Sequence, residues 1–143
     1  MPRGFTTVEL MIAVTIVGIL AAVAVPQYSG YIMRSRILDA FAKLSDYRTR
    51  MEQHFLDRRT YVDDAGNCGI APSTPVGAAD TFAVACTATA RSYVYTATGV
   101  GGKGMAAFVY TIDETGTRGT VSLPNGWKRT ADCWTIRADG SCV

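Results

Sequence analysis

Three groups of residues in this chain have types and spacings that could do chemistry. The first is one carboxylate, Glu9, near the head of the apolar run 5–25. An ionised acidic side chain in hydrocarbon costs ~2.5–3.5 kcal/mol, so it persists where it finds a partner or stays close to the head groups. The second group is Cys68, Cys86, Cys133 and Cys142, an even count confined to the distal part. No CxxC pair exists and the only histidine, His54, lies in a helical stretch, so the four read as two disulfides rather than a zinc site. Three connectivities are open, and the sequential one would close two short loops worth about 3 kcal/mol each on a chain-entropy estimate. The third group is Arg91, Lys103, Arg118, Lys128, Arg129 and Arg137. If these converge on one face, each phosphate they contact adds salt-dependent affinity for nucleic acid.

Catalysis finds little support. Glu52 and Asp57 are not spaced to pair His54 with a nucleophile, and no G-x-S-x-G elbow or P-loop is present. The segment Asp63-Asp64-Ala65-Gly66-Asn67 lacks the closing ligand of a twelve-residue calcium loop. The chain is expected not to be an enzyme, with no catalytic residue, metal or cofactor.

The elements that must position these groups follow from periodicity. The 21 residues of 5–25 can cross a hydrocarbon core of about 30 Å at ~1.5 Å per residue. Pro26 then removes a backbone donor and should kink or loosen a helix near residues 22–26. Beyond it the pattern continues, with Tyr28, Ile32, Ile37, Phe41, Leu44, Tyr47, Met51 and Phe55 mostly three or four apart and charges between them. This predicts one helix reaching residue 60, apolar in its first half and amphipathic in its second. Roughly eighty residues remain after it, few for an independent core, so staples and helix packing must help. Strands are predicted at 81–86, 92–98, 106–112 and 118–123, divided by the glycine-dense turn 99–104, Asp113–Gly116 and Pro124–Gly126. Trp127, Trp134, Phe108, Tyr93, Tyr95 and Tyr110 are expected in the core or on a sheet face rather than as ligand platforms. Hydrophobic residues make up 48% of the chain and only the first segment has membrane length, so a polytopic protein is excluded.

An ordinary secretory signal is cut after its apolar core. Here a basic leader, Met1-Pro2-Arg3-Gly4, meets Phe5-Thr6-Thr7-Val8-Glu9-Leu10 ahead of that core. Cleavage between Gly4 and Phe5 would leave a chain that begins with its own hydrophobic helix. This arrangement resembles the class III signal of type IV prepilins. The C-terminal stretch 126–142, taken with Phe82-Ala83-Val84-Ala85-Cys86, Phe108-Val109-Tyr110-Thr111-Ile112 and Pro124-Asn125-Gly126-Trp127, resembles the E-type minor pilins and the competence minor pilin that binds DNA uptake sequences. The resemblance covers nearly the whole chain and is strongest at 4–30 and 106–142.

The resemblance implies an α+β type IV pilin fold. A long N-terminal helix packs on a C-terminal antiparallel sheet of three or four strands carrying two disulfides. It implies a leader at 1–4, a transmembrane and polymerisation helix at 5–30 and a globular headpiece at 31–143, with helix 31–60 and the sheet and disulfide loops in 61–143. It further implies cleavage by a prepilin peptidase and methylation of Phe5. The subunit would pass through the assembly machinery from the inner membrane into an extracellular filament with other pilin subunits, serving adhesion, twitching or competence. Glu9 would meet the methylated amine of a neighbouring subunit, and the helix would melt near Pro26 in the filament. The Cys133–Cys142 loop would be the outward disulfide-bounded region.

Charge decides little between a structural subunit and a DNA receptor. From residue 68 onward six bases face five acids, unlike a bulk polycation. Residues 31–64 carry seven bases and six acids, which reads as ion pairing between subunits. The main expectation is therefore a structural, minor pilus subunit. DNA capture in natural transformation is the alternative, and a secretion-system pseudopilin the second alternative.

Overall fold

A computed structural model describes residues 6–73 and 80–143. The leader and the Gly4–Phe5 junction lie outside the described residues. Helix α1 spans Thr7–Arg58, and four strands follow: β1 Phe82–Ala88, β2 Tyr93–Gly99, β3 Val109–Asp113 and β4 Arg118–Ser122. They form an antiparallel meander in the order β1-β2-β3-β4. Position 26 falls within α1, and the loosening expected at Pro26 lies outside what the structure describes. The helix ends before residue 60 because Arg59 turns left-handed at φ 60°, its amide closing on the Phe55 carbonyl at 2.7 Å.

The chain divides after Ser35 into two compact units. The reason lies in the apolar stripe. Tyr28 and Tyr31 are exposed, whereas Ile37, Ala40, Phe41, Leu44, Tyr47 and Met51 are buried at three- and four-residue spacing. Just ahead of Ile37, Arg36 ties the helix to the β2–β3 loop, its Nη1 donating to the Lys103 carbonyl at 2.7 Å. From there on, the helix covers one sheet face.

That face alternates as a half-covered sheet must. In β2, Tyr93, Tyr95, Ala97 and Gly99 point inward, and the register pairs Tyr95 with Ile112 and Ala97 with Tyr110. Aromatic rings join the layers. Phe41 stacks on Trp134 at 4.7 Å and meets Tyr110 edge-on, and Tyr47 stacks on Tyr95. Glu52 accepts the Tyr93 hydroxyl at 2.8 Å and lies 3.3 Å from that of Tyr61, which ties the helix end to β2 and to the loop after α1.

Strand β3 begins later than predicted. Residues 106–108 belong to a reverse turn closed by the Phe108 amide on the Met105 carbonyl. Gly99 makes this turn possible, since a Cβ there would collide with the Met105 carbonyl. The glycine-dense stretch is thus a wider loop carrying the 3-10 turn Gly101–Lys103, not a tight hairpin.

Candidate functional site

The head of α1 is built from Thr6. Its hydroxyl accepts the Glu9 amide at 3.2 Å and its carbonyl accepts the Leu10 amide. Thr6 is therefore an N-cap and Glu9 occupies the third helical position, where a carboxylate is favoured by the helix dipole. The spacing T-x-x-E is the sequence signature of such a cap, and the role of Thr6 could have been found from it. Beyond Glu9, the large apolar residues of 10–25 are exposed, Ile12 at 56% and Val17 at 64%. Thr15 satisfies its hydroxyl internally by donating to the Met11 carbonyl at 2.8 Å. The result is a continuous apolar cylinder with one carboxylate at its first turn.

The cysteines pair sequentially. Cys68–Cys86 ties the loop after α1 to β1, and Cys133–Cys142 closes a terminal loop. That loop is anchored to the sheet independently of its disulfide. Thr120 Oγ1 donates to the Cys133 carbonyl and accepts the Thr135 amide. The Tyr110 hydroxyl donates to the Thr135 carbonyl, and Trp134 Nε1 donates to the Thr111 carbonyl, both at 2.8 Å. Sequence reasoning had placed Trp134 and Tyr110 in the core but missed Thr120 and Thr135, whose only signal was their β-propensity.

The six distal cations do not all meet. Arg91 lies in the β1–β2 turn and Lys103 in the β2–β3 loop, at opposite ends of the sheet. A seven-residue strand separates them, about 20 Å at ~3.3 Å per residue. The other four belong to β4 and the segment bonded to it. The Arg118 guanidinium lies 4.9 Å over the Trp134 ring. Arg129 Nη1 donates to the Val121 carbonyl at 3.1 Å, and the Lys128 amide donates to the Ala138 carbonyl. Arg137 caps the tight turn closed by the Gly140 amide. Within this loop the Ser141 hydrogen bonds hold the Asp139 carboxyl below its usual range. Asp132, at the loop's shoulder, is held left-handed at φ 54°.

Elsewhere titratable groups serve the fold. Burial raises the Tyr61, Tyr93, Tyr95 and Tyr110 hydroxyls above their ordinary range, with the Glu52 carboxylate adding to Tyr61 and Tyr93. Burial pulls Lys43 down, but its contacts with Asp80 and Asp39 outweigh this and leave it raised. Asp63 Oδ1 takes the amides of Ala65 and Asn67, closing its own turn. The His54 ring packs against Gly69 with Nε2 unbonded among the described residues.

A model of the prokaryotic N-terminal methylation motif matches residues 2–25. A model of the type IV minor pilin ComP, DNA uptake sequence receptor, matches residues 26–107. The second match covers the amphipathic part of the helix and strands β1 and β2, including Phe82-Ala83-Val84-Ala85-Cys86 of the subgroup resemblance, and stops just ahead of Phe108. Fimbrial protein EcpC of Eikenella corrodens is 38% identical over 73% of this chain and 72% of its own length. The type IV major fimbrial protein FimA of Dichelobacter nodosus is 46% identical over 48% of this chain, which spans 41% of FimA. The Neisseria meningitidis non-core minor pilin PilV shares the fold, with a TM-score of 0.51 over 67% of this chain and 93% of its own at 14% identity. With the long helix, the four-stranded antiparallel sheet and the two disulfides in hand, these matches make the chain a member of the type IV pilin family, in the group of the type IV minor pilin ComP, DNA uptake sequence receptor.

Proposed function

We propose that this chain is a minor subunit of a type IV pilus. It is cut between Gly4 and Phe5, methylated on Phe5, held in the inner membrane by residues 5–25 and then drawn into a filament with other pilins. The observation that carries this reading is the exposed apolar cylinder with Glu9 at its first turn. Fully burying each large apolar side chain is worth ~1.5–3 kcal/mol. The membrane already shelters them, so transfer into a helix bundle is near balance and a motor can drive it. A Glu9 carboxylate meeting a neighbour's Phe5 amine would set the axial register. Glu9→Ala is expected to abolish incorporation into sheared pili while leader cleavage and both disulfides stay intact. Normal levels of the variant in pili would refute the register role.

DNA capture is the second reading, favoured by the match at 26–107 and by the four cations of β4 and the terminal loop. It predicts saturable gel-shift binding of the full chain to double-stranded DNA with a steep salt dependence. Lys128→Ala, Arg129→Ala and Arg137→Ala together should flatten that dependence. No binding at low salt would leave a purely structural subunit.

A further inference from the structure

The turn that leads from β4 into the terminal segment is Pro124–Trp127, closed by the Trp127 amide on the Pro124 carbonyl at 3.2 Å. Asn125 and Gly126 form its tip, and both are exposed. Gly126 takes φ 86°, a conformation that a side chain would resist. Nothing lies within 4 Å of the point where a Cβ on Gly126 would stand. Among the described residues, neither the Asn125 carboxamide nor the Gly126 N–H makes a hydrogen bond. Asparagine is one of the thermally labile side chains. Its carboxamide carbon is an electrophile, and the next residue's amide nitrogen is a nucleophile that can close a succinimide ring on it. Here that nitrogen is bare, unbonded and in water.

Two other places in the head carry related chemistry, and the fold shields both. Asn67 is the chain's other asparagine. Its amide donates to Asp63 Oδ1 at 2.8 Å, and its carbonyl accepts the Asp63 amide at 2.8 Å. The residue after it is Cys68, buried and joined to Cys86, so the attacking nitrogen there is crowded. Asp139–Gly140 has the same following glycine as Asn125. The Gly140 amide, however, donates to the Arg137 carbonyl at 3.1 Å, and the Ser141 amide donates to Asp139 Oδ1 at 2.8 Å. The Ser141 hydrogen bonds favour the ionised form of Asp139. A carboxylate resists attack because neither oxygen can leave without first gaining a proton.

We propose that Asn125 is a site of spontaneous deamidation, a slow chemical clock set in the exposed head. The Gly126 nitrogen, having given its proton to hydroxide, bonds to Asn125 Cγ. The Cγ–Nδ2 bond breaks, and ammonia leaves after taking a proton from water. Water then opens the succinimide at either carbonyl. Opening at Cγ gives aspartate, and opening at the main-chain carbon gives isoaspartate. Either product sets a carboxylate near Lys128 and Arg129. Side chains of 124–143 carry three bases and two acids, so the new charge cancels their excess of one. Isoaspartate also lengthens the backbone of the turn that holds Trp127 edge-on to Phe108 at 5.1 Å.

The test incubates the full chain, oxidised and in non-ionic detergent, in mildly alkaline buffer made with heavy-oxygen water. Peptide mapping should find a heavy oxygen in place of the amide nitrogen at Asn125, divided between aspartate and isoaspartate. Isoelectric focusing should show a single-charge shift toward acid, faster in proportion to hydroxide. Asn67 and Asp139 should stay unchanged over the same period. Asn125→Gln, altered at an exposed tip without bonds, should fold and hold its charge, because the longer side chain closes a ring less readily. An acid shift that persists in Asn125→Gln would place the chemistry elsewhere and overturn the assignment. So would reaction at Asn67 ahead of Asn125. An Asn125 that survives in the folded head but deamidates once the chain is unfolded in urea would show that the turn protects the pair, which also overturns it.

Discussion

Ile12 and Ile37 belong to the same helix, yet Ile12 is 56% exposed and Ile37 fully buried. Up to Ser35 the helix leaves its apolar surface for something outside the chain. From Arg36 it spends a narrower stripe on the chain's own sheet. Both halves are helical, so the surroundings of each half set its role. The stability of the head is an internal property, whereas the value of the first half exists only in a membrane or among neighbouring helices. Substitutions should therefore sort into two readouts that do not mix.

The largest effect on the head is expected from Trp134→Ala, which removes the ring between Phe41 and Arg118 and leaves the Thr111 carbonyl without its donor. Denaturant unfolding should register a loss of about 3–5 kcal/mol, with membrane insertion unchanged. If insertion failed too, the two halves would not be separable. Replacing Cys68 and Cys86 together by Ser should cost about 3 kcal/mol. The same change at Cys133 and Cys142 should cost less, because the Thr120, Tyr110 and Trp134 bonds still hold the loop's base; comparing the two unfolding midpoints checks the order.

Alkali sharpens the same contrast. A tyrosine whose folded pKa lies above its unfolded value keeps its proton longer in the native state. The stability it contributes is complete below pH ~10 and lost as pH rises beyond that. Tyr61, Tyr93, Tyr95 and Tyr110 are all raised, so the head should lose stability steeply above pH 10. Tyrosinate absorbance near 295 nm should rise in step with the loss of the head's near-ultraviolet circular dichroism. Smallest of all, Ile16→Ala should move head stability by less than about 0.5 kcal/mol while weakening membrane partition. A larger loss would mean that residues before Ser35 support the head.

Much of this division was legible in the sequence. The apolar run, the heptad-like stripe and the glycine-punctuated strands are local patterns, and four strands formed in the expected order. The stripe's true start at Ile37 was not legible, because Tyr28, Ile32 and Ile37 are equally apolar and only the position of the sheet separates them. Neither was the late start of β3, which depends on backbone packing between Gly99 and Met105. Which cations approach one another depends on which turns share a sheet end, and strand order decides that. The Asn125–Gly126 pair can be read off the sequence, but the shielding of Asp139–Gly140 rests on the Arg137 and Ser141 bonds, a geometry no spacing rule supplies. The Thr6 cap was written in the sequence as T-x-x-E and went unread.

The stacking of Phe41 against Trp134 has a bearing on biosynthesis. As the chain is made, α1 and Phe41 emerge first, and Trp134 follows only after all four strands. Until then Phe41 and Leu44 have no finished partner surface, and the nascent head is an open helix face. Closing contacts this distant in sequence is slow. The anchor proposed for residues 5–25 would then do a second service. By fixing one end of every chain in a bilayer, it would restrict how unfinished heads approach one another, so that the ring that completes the core comes from the same chain and not from another.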